Sequence, residues 1–403
     1  MDILRGLVGI VVLLLLAFLL SNNKRRIKWR TVLLSLLLEV LFAVLVLLWS
    51  PGRAALNWVT NLVENVVSYV NQGISFLFGP VVQLHGTIFA FQVLPVIIFL
   101  GSLIGILYYL RIIQWLILII GGAIERLLGT SKLESLSAIS TVFLGQSEAP
   151  LLIRPYVGRL TQAELFQVMV CGFTSVAGST LIGYSMLGIP LKYLLTASIM
   201  DAPAAICIAK IMFPETDTPL TGETVRMEKD TESKNIIDAA ANGALSGLKL
   251  AVNVGALLIA FISLIGLING ILGGVGGWFG HSHLTLQEIL GYLFSPIAFL
   301  IGVPWHEAVT AGGFIGEKLA VNEFVAYTSL APQLHHLTAK TVAIVTFALC
   351  GFANISSIAI QIGTFGGLEP KRRHDVAALG VRALLAGTLA NLLNAAIVGM
   401  LIR

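Results

Sequence analysis

Two acidic residues, Glu148 and Glu323, stand in short polar clusters inside an otherwise apolar chain. Glu148 follows Gly145-Gln146-Ser147, and Glu323 follows Asn322 and precedes Phe324-Val325-Ala326. An ionised carboxylate at the centre of a membrane helix costs about 2.5–3.5 kcal/mol even on lenient insertion scales, so each needs a partner or a task. Arg154 and Lys318 offer one solution, a salt bridge within each segment. The surrounding residues favour a binding site instead. Two further clusters, Thr174 to Thr180 and Gly351 to Ser357, bring Ser175, Thr180, Asn354, Ser356 and Ser357 into the same apolar setting. Their amides and hydroxyls both donate and accept. No cation lies within these clusters, so they suit a neutral, hydroxyl-rich solute better than a phosphate or a carboxylate. Carboxylates accept hydrogen bonds from hydroxyls and ring N–H groups, amides read a planar polar edge, and Phe352 can pack on a ring face.

Enzymatic chemistry has little support. His306-Glu307 lacks the second His of a zinc-protease helix, because position 310 is Thr310. Gly145-Gln146-Ser147-Glu148-Ala149 misses the final Gly of a nucleophile elbow. No G-x-x-x-x-G-K-[ST] loop is present, so nucleotide hydrolysis is not the expected energy source. The chain is therefore expected to be neither an enzyme nor a holder of an organic cofactor, and to draw on an ion gradient. Cys171, Cys207 and Cys350 lie in apolar stretches without metal-ligand spacing and read as packing residues. His306 reads as a capping or interfacial residue, and His335-His336 as a surface pair.

These clusters must be held by membrane helices. Of 403 residues, 57% are hydrophobic and only 11% charged, against roughly 25% charged in soluble domains. The modest net charge of +4 gathers in a few loops, which excludes nucleic acid as an expected partner. A span needs about 20 apolar residues, and hydropathy places eight near 3–20, 31–49, 91–110, 163–185, 191–213, 247–271, 341–363 and 377–401. The first runs straight into Lys24-Arg25-Arg26 without a cleavage pattern, so it reads as a retained span. Segments 54–72, 112–128 and 286–302 read as interfacial helices. Stretches 131–156 and 306–333 mix Gly, Pro, polar and apolar residues and read as re-entrant hairpins sheltered by protein. Basic residues flanking short loops face the cytoplasm, which sets both termini outside an inner membrane.

The order span, interfacial helix, hairpin, interrupted span, span begins near 91 and again near 247. The charge topology inserts the two hairpins from opposite sides, the inverted construction recurrent in secondary transporters. The expected organisation is an N-terminal scaffold over 1–90, a first repeat over 91–213, a mobile cytoplasmic linker over 214–246 and a second repeat over 247–403. The fold class is all-α integral membrane, with eight spans, two opposed hairpins and interfacial helices.

Gly145-Gln146-Ser147-Glu148-Ala149-Pro150, the run Gly316 to Tyr327 containing Lys318 and Asn322-Glu323-Phe324-Val325-Ala326, and Gly351-Phe352-Ala353-Asn354-Ile355-Ser356-Ser357 resemble the three signature regions of concentrative nucleoside transporters. The likeness covers nearly the whole chain, in the short bacterial form. It implies a homotrimer that imports nucleosides by cation symport, with a mobile transport domain moving like an elevator against a scaffold. A passive channel or facilitator for a small neutral solute is the alternative. The resemblance implies that Gln146, Ser147, Glu148 and Thr180 line the nucleobase side, and that Glu323, Phe352, Asn354 and Ser357 line the ribose side. The family usually has Thr at the position of Ser147 and an aliphatic residue at that of Thr180, which leaves base preference open. Sodium-coupled relatives hold the ion with an Asn at the position of Thr141, a Ser like Ser175, and carbonyls matching Leu144, Ser175 and Val176. Proton-coupled relatives lack that Asn, as this chain does, and Glu148 or Glu323 would then carry the proton. Sodium and proton both stand as the expected coupling ion.

Overall fold

The computed structural model describes residues 2–79, 88–219, 233–281 and 283–402, and every regular element among them is helical. Among the described residues, six helical stretches are long and apolar enough to cross a bilayer: Trp29–Leu47, Phe89–Tyr109, Gln162–Met186, Leu191–Met212, Ile236–Gly277 and Pro370–Leu401. Leu286–Leu300 and Trp305–Ala320 form a further apolar pair, bent by 116° at the break between them. The shorter apolar helices are Ile3–Leu19 and the two halves Ala339–Leu349 and Ile355–Leu368. A chain with this many apolar helices is a multi-pass membrane protein. Helices dominate because a bilayer leaves the backbone no other source of hydrogen bonds.

Helix occupies each stretch where hydropathy places a span, but one boundary moves. The sixth begins at Ile236 rather than near 247, so the linker expected over 214–246 gives way to helix eleven residues early. Asn235 caps that start, its side-chain oxygen accepting from the Asp238 amide at 2.9 Å. The polar first turns, with Asp238 and Asn242, hide this part of the helix from a hydropathy scan. Residues 220–232 of the expected linker lie outside the described residues.

Local signals set the other ends. Ser131 and Glu134 form a capping box that starts the first hairpin at Lys132, and Thr161 and Glu164 form another that starts the helix after it. Asn322 caps Glu323–Leu330 and Asn354 caps Ile355–Leu368, each through an amide 2.9 Å away. Along the chain the segments expected as hairpins, Lys132–Leu152 with its kink and Trp305–Ala320 with Glu323–Leu330, are each followed by an interrupted helix and a further helix.

The hairpins, the interrupted helices, Leu191–Met212 and Arg373–Leu401 pack into one buried mass. A buried ion pair between Lys210 and Glu134 ties Leu191–Met212 to the first hairpin. Leu94–Tyr109 and Ile236–Gly277 instead pack mainly on each other and turn much of their apolar surface outward. Gly101 and Gly105 on one, and Gly243 and Gly247 on the other, bring the two backbones together; a Cβ on Gly101 would stand 2.5 Å from the Gly243 carbonyl.

Candidate functional site

The tip of the first hairpin is a kink at Gly145, where φ is +74° and ψ is −178°. Residues with a Cβ are almost never found in this region. A Cβ here would also lie 2.8 Å from that of Ala177, so the tip rests directly against the gap between Gln162–Thr174 and Gly178–Met186. The kink turns Gln146, Ser147 and Glu148 toward a cavity of about 180 Å³.

The second hairpin reaches the same cavity from the other half of the chain. Its tip carries Asn322 and Glu323, and the gap beside it is the one between Ala339–Leu349 and Ile355–Leu368. Glu323 is buried and doubly held: the Tyr184 hydroxyl donates to one carboxylate oxygen at 3.0 Å and the Asn354 amide to the other at 2.8 Å. Asn354 thus caps a helix with its oxygen and orients Glu323 with its nitrogen. Gln146 donates from Nε2 to the Ser357 hydroxyl at 3.0 Å, which links the two halves. The buried Gln146 Oε1 has no partner among the described residues.

All eight residues expected to bind substrate, Gln146, Ser147, Glu148, Thr180, Glu323, Phe352, Asn354 and Ser357, line this one cavity. Its far wall is apolar, formed by Leu250, Val254, Leu257 and Leu258 of Ile236–Gly277. The cavity therefore pairs hydrogen-bonding groups on one side with a greasy face on the other, an arrangement suited to a flat, polar-edged molecule. Glu148 and Leu144 also border a neighbouring cavity of about 280 Å³ that contains Arg154.

The salt bridges that Lys318 and Arg154 could have supplied do not form. Lys318 donates instead to Asn391 and to the Ala348 carbonyl, and Arg154 shares a cavity with Glu148 without pairing to it. Of the four residues implicated in sodium binding, Thr141 and Ser175 meet, their hydroxyls 3.2 Å apart and both buried. Leu144 borders both cavities, and Val176 is buried in the first gap. No group of three or more His, Cys, Asp or Glu side chains with metal-binding geometry occurs among the described residues. The three cysteines are free and buried. His306 is exposed and lies 3.9 Å from Glu307, which accepts from Thr338 and Thr341 at the start of Ala339–Leu349. His335 and His336 are exposed.

Sequence reasoning missed Tyr184, which holds Glu323. Its position one helical turn after Thr180, on the same face, was the available signal. It also missed the apolar wall, because aliphatic residues of a span carry no mark of what they face.

Comparison with known proteins matches this architecture across the chain. Residues 193–399 fit the family model described as Na+ dependent nucleoside transporter C-terminus, 8–81 the corresponding N-terminus, and 90–190 a gate module described as nucleoside recognition. The chain is 53% identical to the uncharacterized transporter YutK of Bacillus subtilis, with all of both chains covered. It is 45% identical to the nucleoside permease NupC of Helicobacter pylori, over 98% of this chain and 97% of that protein. Among solved structures, a variant of CNTnw in an outward-facing state superposes with a TM-score of 0.97 at 48% identity, covering 100% of this chain and 99% of that one. CNTnw in an inward-facing substrate-bound state gives a TM-score of 0.94 at 48% identity, over 100% and 98%.

Proposed function

The chain belongs to the concentrative, Na+ dependent nucleoside transporter family, and from that membership we propose that it imports neutral nucleosides by sodium symport through an elevator-type movement. One observation carries the reading: eight polar and aromatic side chains from both halves of the chain converge on a single cavity. In this reading Gln146, Ser147, Glu148 and Thr180 hold the nucleobase, while Glu323, Phe352, Asn354 and Ser357 hold the ribose. Glu323, fixed by Tyr184 and Asn354, accepts from sugar hydroxyls, and Gln146, tied to Ser357, reads the base edge.

Sodium travels as co-substrate, bound by the Thr141 and Ser175 hydroxyls with the carbonyls of Leu144, Ser175 and Val176. The meeting of those two hydroxyls beside the hairpin tip supports this choice, because hard oxygens suit a hard cation. Placed there, the ion steadies the first gap against the tip at Gly145, so ion and nucleoside favour the same arrangement. The moving unit comprises the hairpins and interrupted helices. The glycine-packed pair Leu94–Tyr109 and Ile236–Gly277 belongs to the stationary scaffold, whose outward apolar surface is available for a trimer. Eight spans, two hairpins inserted from opposite sides as an inverted repeat, and extracytoplasmic termini complete the topology.

The experiment is uptake of radiolabelled uridine into proteoliposomes under separate sodium and proton gradients. Accumulation above equilibrium is expected under the sodium gradient alone. Accumulation driven by protons would replace the ion, and uptake indifferent to both gradients would make the protein a passive facilitator.

A further inference from the structure

Behind the cavity, four buried polar side chains form a chain of hydrogen bonds without lining it. Lys318 lies five residues before Glu323 on the first leg of the second hairpin, Asp201 on Leu191–Met212, and Asn391 and Asn394 on Arg373–Leu401; none is more than 2% exposed. The Lys318 ammonium donates to Asn391 Oδ1 at 2.7 Å and to the Ala348 carbonyl at 2.8 Å. Asn391 Nδ2 donates to the carbonyls of Thr174 and Cys350, each at 2.8 Å. Asn394 donates to Asp201 at 2.8 Å, which sets a carboxylate near the buried ammonium on the other side of Asn391.

The identity of those carbonyls gives the network its meaning. Thr174 ends the first half of one interrupted helix, and Ala348 and Cys350 lie at the end of the first half of the other. Carbonyls at a helix C-terminus have no partner within the helix and carry the negative end of its dipole. Here water is excluded, so another side chain must satisfy them. One amide nitrogen bonds a carbonyl from each gap, and one cation stands over the second gap. The gaps are in direct contact at this point: a Cβ on Gly351 would lie 2.3 Å from Asn391 Oδ1 and 2.4 Å from the Thr174 carbonyl. Just beyond them begin the helices that carry Thr180 to one side of the cavity and Asn354 and Ser357 to the other.

We propose that Asn391 and Lys318 are positioning residues that lock the two helix gaps at a fixed separation, so that the base side and the sugar side of the cavity engage one solute molecule together. This rests on the nucleoside-binding reading above. Neither residue touches the solute. Lys318 fixes the hairpin to the carbonyl end of the second gap while Glu323, further along the same hairpin, grips Asn354 at its amide end. Asn391 extends that grip to the first gap.

Two variants separate positioning from general stability. Asn391→Asp keeps the side-chain size and an oxygen for Lys318 but removes the donor shared by Thr174 and Cys350. Lys318→Met keeps the stem and removes the ammonium. Calorimetric binding of uridine, 2′,3′-dideoxyuridine and a base-altered nucleoside to purified full-length protein, with melting temperatures measured alongside, reads both effects. We expect the uridine Kd to rise by about tenfold in each variant, the scale of one lost buried hydrogen bond, with discrimination against both analogues falling together. Unchanged discrimination with a lowered melting temperature would overturn the proposal, as would failure of both variants to insert. A wild-type protein that binds no uridine would instead refute the nucleoside reading itself.

Discussion

Asn354 shows how much one side chain carries in this site. Its oxygen caps a helix and its nitrogen fixes Glu323, so the residue that ends the gap also orients a carboxylate that lines the cavity. Glu323→Gln replaces an acceptor with a donor opposite Asn354 and Tyr184, and a hydrogen bond to a charged group is worth about 1.5–3 kcal/mol. Uridine uptake by this variant should fall below detection while its amount in the membrane stays unchanged; normal uptake would reassign Glu323 to structure. At the proposed ion site, Thr141→Asn adds a longer side chain ending in an amide oxygen. It should lower the sodium concentration for half-maximal uptake severalfold, and an unchanged sodium dependence would move the ion elsewhere. The polar residues that line the cavity stood out in the sequence because polar clusters are anomalous in apolar spans, and the family resemblance added their division into a base side and a ribose side. Tyr184 and Asn391 did not stand out, since their partners stand far away in the chain, such as Thr174 for Asn391; Asp201 was passed over although a carboxylate inside a span is itself a signal.

Among elements, the hairpin tip at Gly145 is doubly constrained. Its dihedrals and its contact with Ala177 both exclude a side chain. Gly145→Ala should cost about 1–3 kcal/mol of backbone strain. Because that strain falls at the tip, uridine affinity should drop more than global melting temperature; the reverse pattern would make the tip a structural element only. The succession of apolar helices could be read from hydropathy, whereas the caps at Asn322 and Asn354 read only as site residues. The long helix starting at Ile236 could not, because its first turns are polar. The sharp fold of Leu286–Leu300 against Trp305–Ala320 was equally hidden, as it depends on contacts between the two rather than on either segment's composition; the segment reads alone as an interfacial helix.

For the molecule as a whole, the division into a glycine-packed pair and a buried mass of hairpins predicts relative movement. Leu151 on the first hairpin and Ser246 on Ile236–Gly277 border the same neighbouring cavity, and the native cysteines are buried. A short bifunctional thiol reagent joining Leu151→Cys to Ser246→Cys should stop transport and leave uridine binding intact; undiminished uptake after cross-linking would contradict the movement. The claim on which everything else depends is that the two halves of the chain bind opposite ends of one nucleoside. Binding of uridine, its 2′,3′-dideoxy analogue and a base-altered analogue to Glu323→Ala and Gln146→Ala tests it most directly. The account predicts that Glu323→Ala loses discrimination against the dideoxy sugar alone and Gln146→Ala against the altered base alone. Sugar discrimination that survives in Glu323→Ala would contradict it.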